Sequence, residues 1–233
     1  MRSRFFSAAA ALVLLATSSP AQQGGGGVLE KLAAVKQSAA ANQQALRQYR
    51  WTEMIQVAVN GEVRNSRQMA CQYGPDGKPA CTPMGPPPQQ EEARGIRGRI
   101  MEKKKEDMQD YMQQVKAVIG MYVPPESTRM ENAFRAGNAS IAPMPGAGEA
   151  ALNFKNYAQP GDTMSLDFRM ATKKLAGLSV NTYVGDPSAP VSMTVQFGTL
   201  PDGTSYPSQI VVNAAAKGIQ VTQTNVNYSK IGG

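Results

Sequence analysis

The chain has 233 residues, with 24 Lys and Arg against 17 Asp and Glu, no histidine and two cysteines. Without imidazole it can build no Ser-His-Asp triad, no histidine metal ligand and no imidazole proton shuttle. A net charge of +7 without a long basic block favours anionic lipid or polysaccharide over nucleic acid as a contact.

Arg2 and Arg4 precede an apolar run, Phe5-Phe6 and Ala8 to Ala16, followed by Ser19-Pro20-Ala21. Basic start, short apolar core and small-residue exit predict a signal peptide over 1–21, cleaved near Ala21 and too short to span a bilayer. No cysteine at the exit offers a lipid anchor. The expected product is exported, periplasmic or secreted, and loses two arginines with its leader, taking the net charge to +5. Residues 22–27 read as a flexible leader, and 28–233 as a single α+β domain.

Residues 28–49 carry Val28, Leu32, Val35, Ala39, Asn42, Leu46 and Tyr49 at steps of four and three, one face of an amphipathic helix. From Trp51 the period becomes two, with Trp51, Ile55, Val57 and Val59 on one face, and Asn60-Gly61 is a hairpin turn signal. Residues 50–81 are therefore read as hairpins. A two-residue turn would put Ala70 opposite Trp51, a three-residue loop Cys71. In the next hairpin, turn formers at 74–78 would put Cys71 opposite Cys81, 72 opposite 80 and 73 opposite 79. An exported chain oxidises such a pair, and closing the loop contributes about 2–3 kcal/mol. Two thiols without histidine fall short of a zinc site, and a thiol nucleophile would need a base beside it.

Residues 82–92 form a Pro-rich connector. Residues 93–137 are expected to be helical, with apolar positions 108, 111, 112, 115, 118, 119 and 122 and a stop at Val123-Pro124-Pro125. A second, short helix is expected from a Ser127 cap to Phe134, ended by Gly137. Lys103-Lys104-Lys105, among Glu102, Glu106, Asp107 and Asp110, reads as a solvated face with exposed ion pairs. From 151 to 230 alternating patterns predict an antiparallel meander, apolar on one face and polar on the other. The expected fold class is α+β, an antiparallel sheet with one face covered by the helices.

No P-loop or GxGxxG motif follows a strand. Carboxylates alone could act as acid and base on envelope glycans, with Asp162, Asp167, Asp186 and Asp202 as candidates. Three of these sit in turn signals and Asp167 on a polar strand face, so structural roles are expected and no catalytic residue is assigned. The 13 methionines form no tight cluster for copper, and suit either an irregular core or an adaptable apolar pocket. No cofactor or metal is expected.

The segments "QYRWTEM", "YGPDGK", "EKKKEDM" and "YVPP" resemble a group of uncharacterised exported bacterial proteins. The element order is similar to that of the LolA/LppX-type superfamily of envelope lipoprotein and lipid carriers. So is the hairpin Leu200-Pro201-Asp202-Gly203-Thr204-Ser205-Tyr206-Pro207, continued through strand 209–214 to Asn225-Val226-Asn227-Tyr228. That resemblance implies a strongly curved, half-barrel-like antiparallel sheet whose concave apolar side, lidded by helices, binds acyl chains, with no catalytic residues. The residues expected to line it are Met164, Leu166, Phe168, Leu178, Val180, Met193, Val195 and Phe197, with Met108, Met112 and Val115 on the cover. The expected function is an exported envelope binding protein for an apolar ligand such as lipid or an acylated protein. The alternative is a protein-interaction or regulatory module with a solid core, in peripheral contact with an anionic membrane or an envelope protein.

Overall fold

The computed structural model describes residue 37 and residues 40–85, 95–144, 148–172 and 174–232. The signal peptide, the leader, most of the 28–39 stretch and residues 86–92 of the connector lie outside the described residues. Ten strands form one antiparallel sheet: β1 (Tyr49–Val59), β2 (Glu62–Tyr73), β3 (Pro79–Met84), β4 (Ala139–Pro143), β5 (Glu149–Lys155), β6 (Thr163–Arg169), β7 (Lys174–Tyr183), β8 (Pro190–Thr199), β9 (Ser205–Ala214) and β10 (Ile219–Lys230). Their order is β3-β2-β1-β10-β9-β8-β7-β6-β5-β4. The described helices are α1, over residues 40–46, α2 (Gly95–Ile119) and α3 (Ser127–Arg135).

This architecture corrects the α+β expectation. The molecule is dominated by a single sheet, and the described helices do not form a matching layer across one face. Residues 102–107 of α2 are exposed all round, because the Glu102 to Asp107 run offers no apolar position to bury. Contact with the sheet starts where the apolar stripe starts, at Met108. The meander, expected from 151, begins earlier, with β4 (Ala139–Pro143) and β5 (Glu149–Lys155). Strand β4 pairs Ala139 with Phe154 and Ile141 with Leu152, but its five residues and terminal Pro143 suit only an edge.

The β1–β2 register combines both alternatives. Asn60 (φ 52°) and Gly61 (φ 81°) form the two-residue turn, with the positive φ at both positions that suits the right-handed twist of the strands. A one-residue irregularity on β2 then moves the pairing from Ala58↔Val63 to Val57↔Asn65, so Cys71 lies opposite Trp51. Cys71 and Cys81 face each other, Cα atoms 4.1 Å apart, and are joined by a disulfide. Their neighbours pair as 72 with 80 and 73 with 79.

Helix α3 is entered through Glu126, not capped by Ser127, which is its first residue. Arg129 Nε donates to Glu126 Oε2 at 2.8 Å. At the other end Gly137 (φ 73°) turns the chain, and the Asn138 N–H donates to the Ala133 carbonyl at 2.8 Å.

Strand alternation and register put one row of side chains from every strand on a common face. Ile219, Val221 and Gln223 lie opposite Val59, Val57 and Ile55 on β1, and opposite Ala214, Val212 and Ile210 on β9. The row continues through Val191, Met193 and Val195 on β8 to Thr182, Val180 and Leu178 on β7. The opposite face is polar and largely uncharged at its centre, with Gln56, Thr194, Gln196, Asn181 and Gln220 exposed. Two buried clusters occupy the apolar face. One gathers β5–β8 side chains with Tyr122, Met130 and Ala133. The other gathers Val115, Val184, Val191, Ala214 and Ile219.

Candidate functional site

The eight strand residues expected to line a concavity lie together in the first cluster. Met164 and Val180 are 1% exposed, Met193 2% and Leu178 3%, while Leu166, Val195 and Phe168 are also buried and Phe197 is half-buried. Seven of the eight are closed off from solvent, and Phe197 keeps accessible area at the margin. Tyr122, fully buried at the end of the α2 segment, fills the space above them with Met130, Ala133 and Tyr157. The three cover residues belong elsewhere. Val115, with half-buried Met108 and Met112, packs in the second cluster. Val118 and Ile119 bridge the two.

The four candidate carboxylates are each engaged in hydrogen bonds within the fold. Asp162 is 1% exposed and accepts from the Tyr122 hydroxyl (2.6 Å) and from the backbone N–H groups of Tyr157 (2.6 Å), Ala158 (2.8 Å) and Gln159 (2.8 Å). It thereby ties the 156–162 loop to the end of α2. Burial, reinforced by the Asp162 hydrogen bond, holds the Tyr122 phenol well above its usual range. Asp202 accepts from the Tyr49 hydroxyl (2.5 Å) and the Thr204 N–H (3.0 Å), with Lys230 at 3.5 Å. The Tyr49 hydrogen bond, first among these, lowers its pKa well below the carboxylate range. Asp186 accepts from the Ser188 N–H within its turn, and Asp167 from Ser165 on its own strand.

The same apolar face is less covered across β9, β10, β1 and β2. Here Ile55, Met69, Ile210 and Gln223 are only half-buried, between the α2 contact on one side and an aromatic group on the other. Trp51 stacks on Tyr228 (5.6 Å between centroids, 11° between planes) and lies 5.2 Å from Tyr73; Tyr206 is 4.4 Å from Tyr228. Gly198 makes room for Tyr206, since a Cβ there would lie 2.8 Å from its ring. Helix α1 docks nearby, with Asn42 exchanging two hydrogen bonds with the Ser205 backbone.

Glu53 sits within this strip. It occupies the period-two position between Trp51 and Ile55 and so shares their face. Gln223 Nε2 donates to its Oε2 at 2.8 Å, and Asn225, 4% exposed, is held by donation to the Pro207 carbonyl at 2.8 Å. Among the described residues Glu53 makes no ion pair. Desolvation raises its pKa, opposed by the charge of Arg67 on the neighbouring strand. Trp51 Nε1 is buried without a hydrogen-bond partner. The Glu53 oxygen and the two sulfurs lie within 4.8 Å of one another, but the disulfide leaves no thiolate to hold a metal.

Glu53 was not among the residues expected to form a site. Its one signal was a charged residue at an inward position of an otherwise apolar alternation. Its partners, Gln223 and Asn225, are some 170 residues away.

Among the described residues no helix is long and apolar enough to cross a membrane. No family model and no curated protein sequence matches the chain. Among solved structures it is similar to a DUF1329 family protein from Desulfovibrio piger, at 9% sequence identity and a TM-score of 0.41 over 88% of this chain and 92% of that one.

Proposed function

We propose that the protein is an exported, non-enzymatic envelope protein that binds an amphiphile with an acyl or alkyl chain on the β9-β10-β1-β2 part of its apolar sheet face. The observation that carries this reading is a single apolar row, filled with the chain's own side chains over β5–β8 and half-exposed at Ile55 and Ile210. Soluble domains cover such surface or use it. The disulfide and the expected leader support export. Mass spectrometry of an organic extract of the protein, expressed with its leader, tests the reading. A co-purified amphiphile that is lost in Ile55→Asp is the expected result. No extractable amphiphile, together with no uptake of an apolar dye by the wild type, would refute it.

A second reading, a protein-binding envelope module with a solid core, draws on the filled β5–β8 cluster and on the exposed Lys103 and Lys104 of α2. It predicts capture of a partner that depends on these lysines and is indifferent to lipid.

A further inference from the structure

Along this strip Glu53 lies among apolar and amide side chains, with Gln223 and Asn225 beside it and Arg67 opposite Ile55, and it makes no ion pair among the described residues. Burying even part of a carboxylate costs free energy unless a charge or several donors offset it. Glu53 has a single side-chain donor, Gln223, and its remaining acceptor capacity is unmet among the described residues. The nearest cation that its titration senses, Arg67, is exposed and therefore well hydrated at the rim. Trp51 and Tyr228 stack on one another at this end of the strip, and burial first, then the neighbouring tyrosines and the Glu53 charge, raise the Tyr228 phenol. A carboxylate favours a cation and repels an anion. Ile55 and Ile210, on either side of Gln223 in one cross-sheet row, offer apolar contact beside this head site.

Resting on the binding reading above, we infer that the ligand is an aminolipid, with its protonated amine paired to Glu53 and its alkyl chain laid across Ile55 and Ile210. The ligand then supplies the close ion pair that Glu53 does not make among the described residues. A fatty acid would set its carboxylate against Glu53 and find only the solvated Arg67 as compensation.

The test uses three probes of one chain length, dodecylamine, dodecanoate and dodecanol, each displacing the neutral dye Nile red from the full mature protein at pH 7. Dodecylamine is expected to act at a concentration at least about tenfold below that of dodecanoate, an exposed-site value after solvent screening. Glu53→Gln, which keeps size and hydrogen bonding, should erase that difference while dodecanol still binds. Glu106→Gln, on the exposed part of α2, should retain it. Binding of all three probes without preference, tighter binding of dodecanoate, or a preference that survives Glu53→Gln would overturn the amine assignment and leave the amphiphile reading standing. Failure of all three to displace the dye would overturn both.

Discussion

The two halves of the apolar face follow the same strand alternation and end in different states. Over β5–β8, Met164, Leu166, Leu178 and Val180 meet Tyr122 and α3 side chains and are closed off from solvent. Over β9, β10, β1 and β2, Ile55, Met69 and Ile210 stay half-exposed around Glu53. The difference lies in what the connections deliver. The Tyr122 to Arg135 segment carries a buried aromatic and an apolar helix face, whereas residues 102–107 of α2 are charged and remain in solvent. Alternation in a sheet therefore specifies which side faces inward, and the covering segments decide whether that side becomes core or binding surface.

The largest effect should separate the halves. Met164→Asp puts an unpaired charge in closed core and should cost about 4 kcal/mol or more, leaving no cooperative unfolding transition by circular dichroism. Ile55→Asp should cost under about 1.5 kcal/mol, since that position is half-open, and should abolish apolar dye uptake. Equal destabilisation by the two changes would break the comparison.

Tyr122→Phe should cost about 1–2 kcal/mol, because Asp162 and Thr182 each lose a hydrogen bond to the phenol. The folded-state pKa of Tyr122 is raised above 10.0. Its stabilising contribution is therefore full below pH 10 and is lost as pH rises, because the unfolded chain ionises first. Denaturant melts across that range should show stability falling, less steeply in Tyr122→Phe. Some slope should remain, since Tyr157 and Tyr228 are also raised.

The smallest effect has the opposite sign. The Glu53 pKa is raised above 4.5, so its contribution is full below pH 4.5 and becomes a cost once the folded-state carboxyl ionises. Glu53→Gln should accordingly stabilise the empty protein at pH 7 by under about 1 kcal/mol, given its partial exposure. The gain should vanish below pH 4.5. Loss of stability at pH 7 would show Glu53 to be structural.

Local chemistry made the Cys71–Cys81 pairing legible, because a short run of turn formers fixes opposite residues. Trp51 opposite Cys71 was one of two readings, since the irregularity near Arg64 has no signature comparable to Asn60-Gly61. The β6–β8 side chains were identified as inward-facing, but what lies above them depends on Tyr122, Met130 and Ala133, whose reach is set by tertiary packing. Asp162, Asp186 and Asp202 lie in turns and Asp167 on a strand, as their local sequence indicated, but the burial of Asp162 depends on Tyr122, 40 residues away, and was not legible. Glu53 becomes a site only when β10 lies beside β1, and that pairing joins opposite ends of the chain.

Methyl NMR offers the most direct measurement, recording isoleucine, leucine and valine shifts while dodecylamine is added below its micelle concentration. The account predicts that the Ile55 and Ile210 methyls move saturably, while those of Leu166, Leu178 and Val180 stay fixed. Movement of the Leu166, Leu178 and Val180 methyls, or of none, would contradict it.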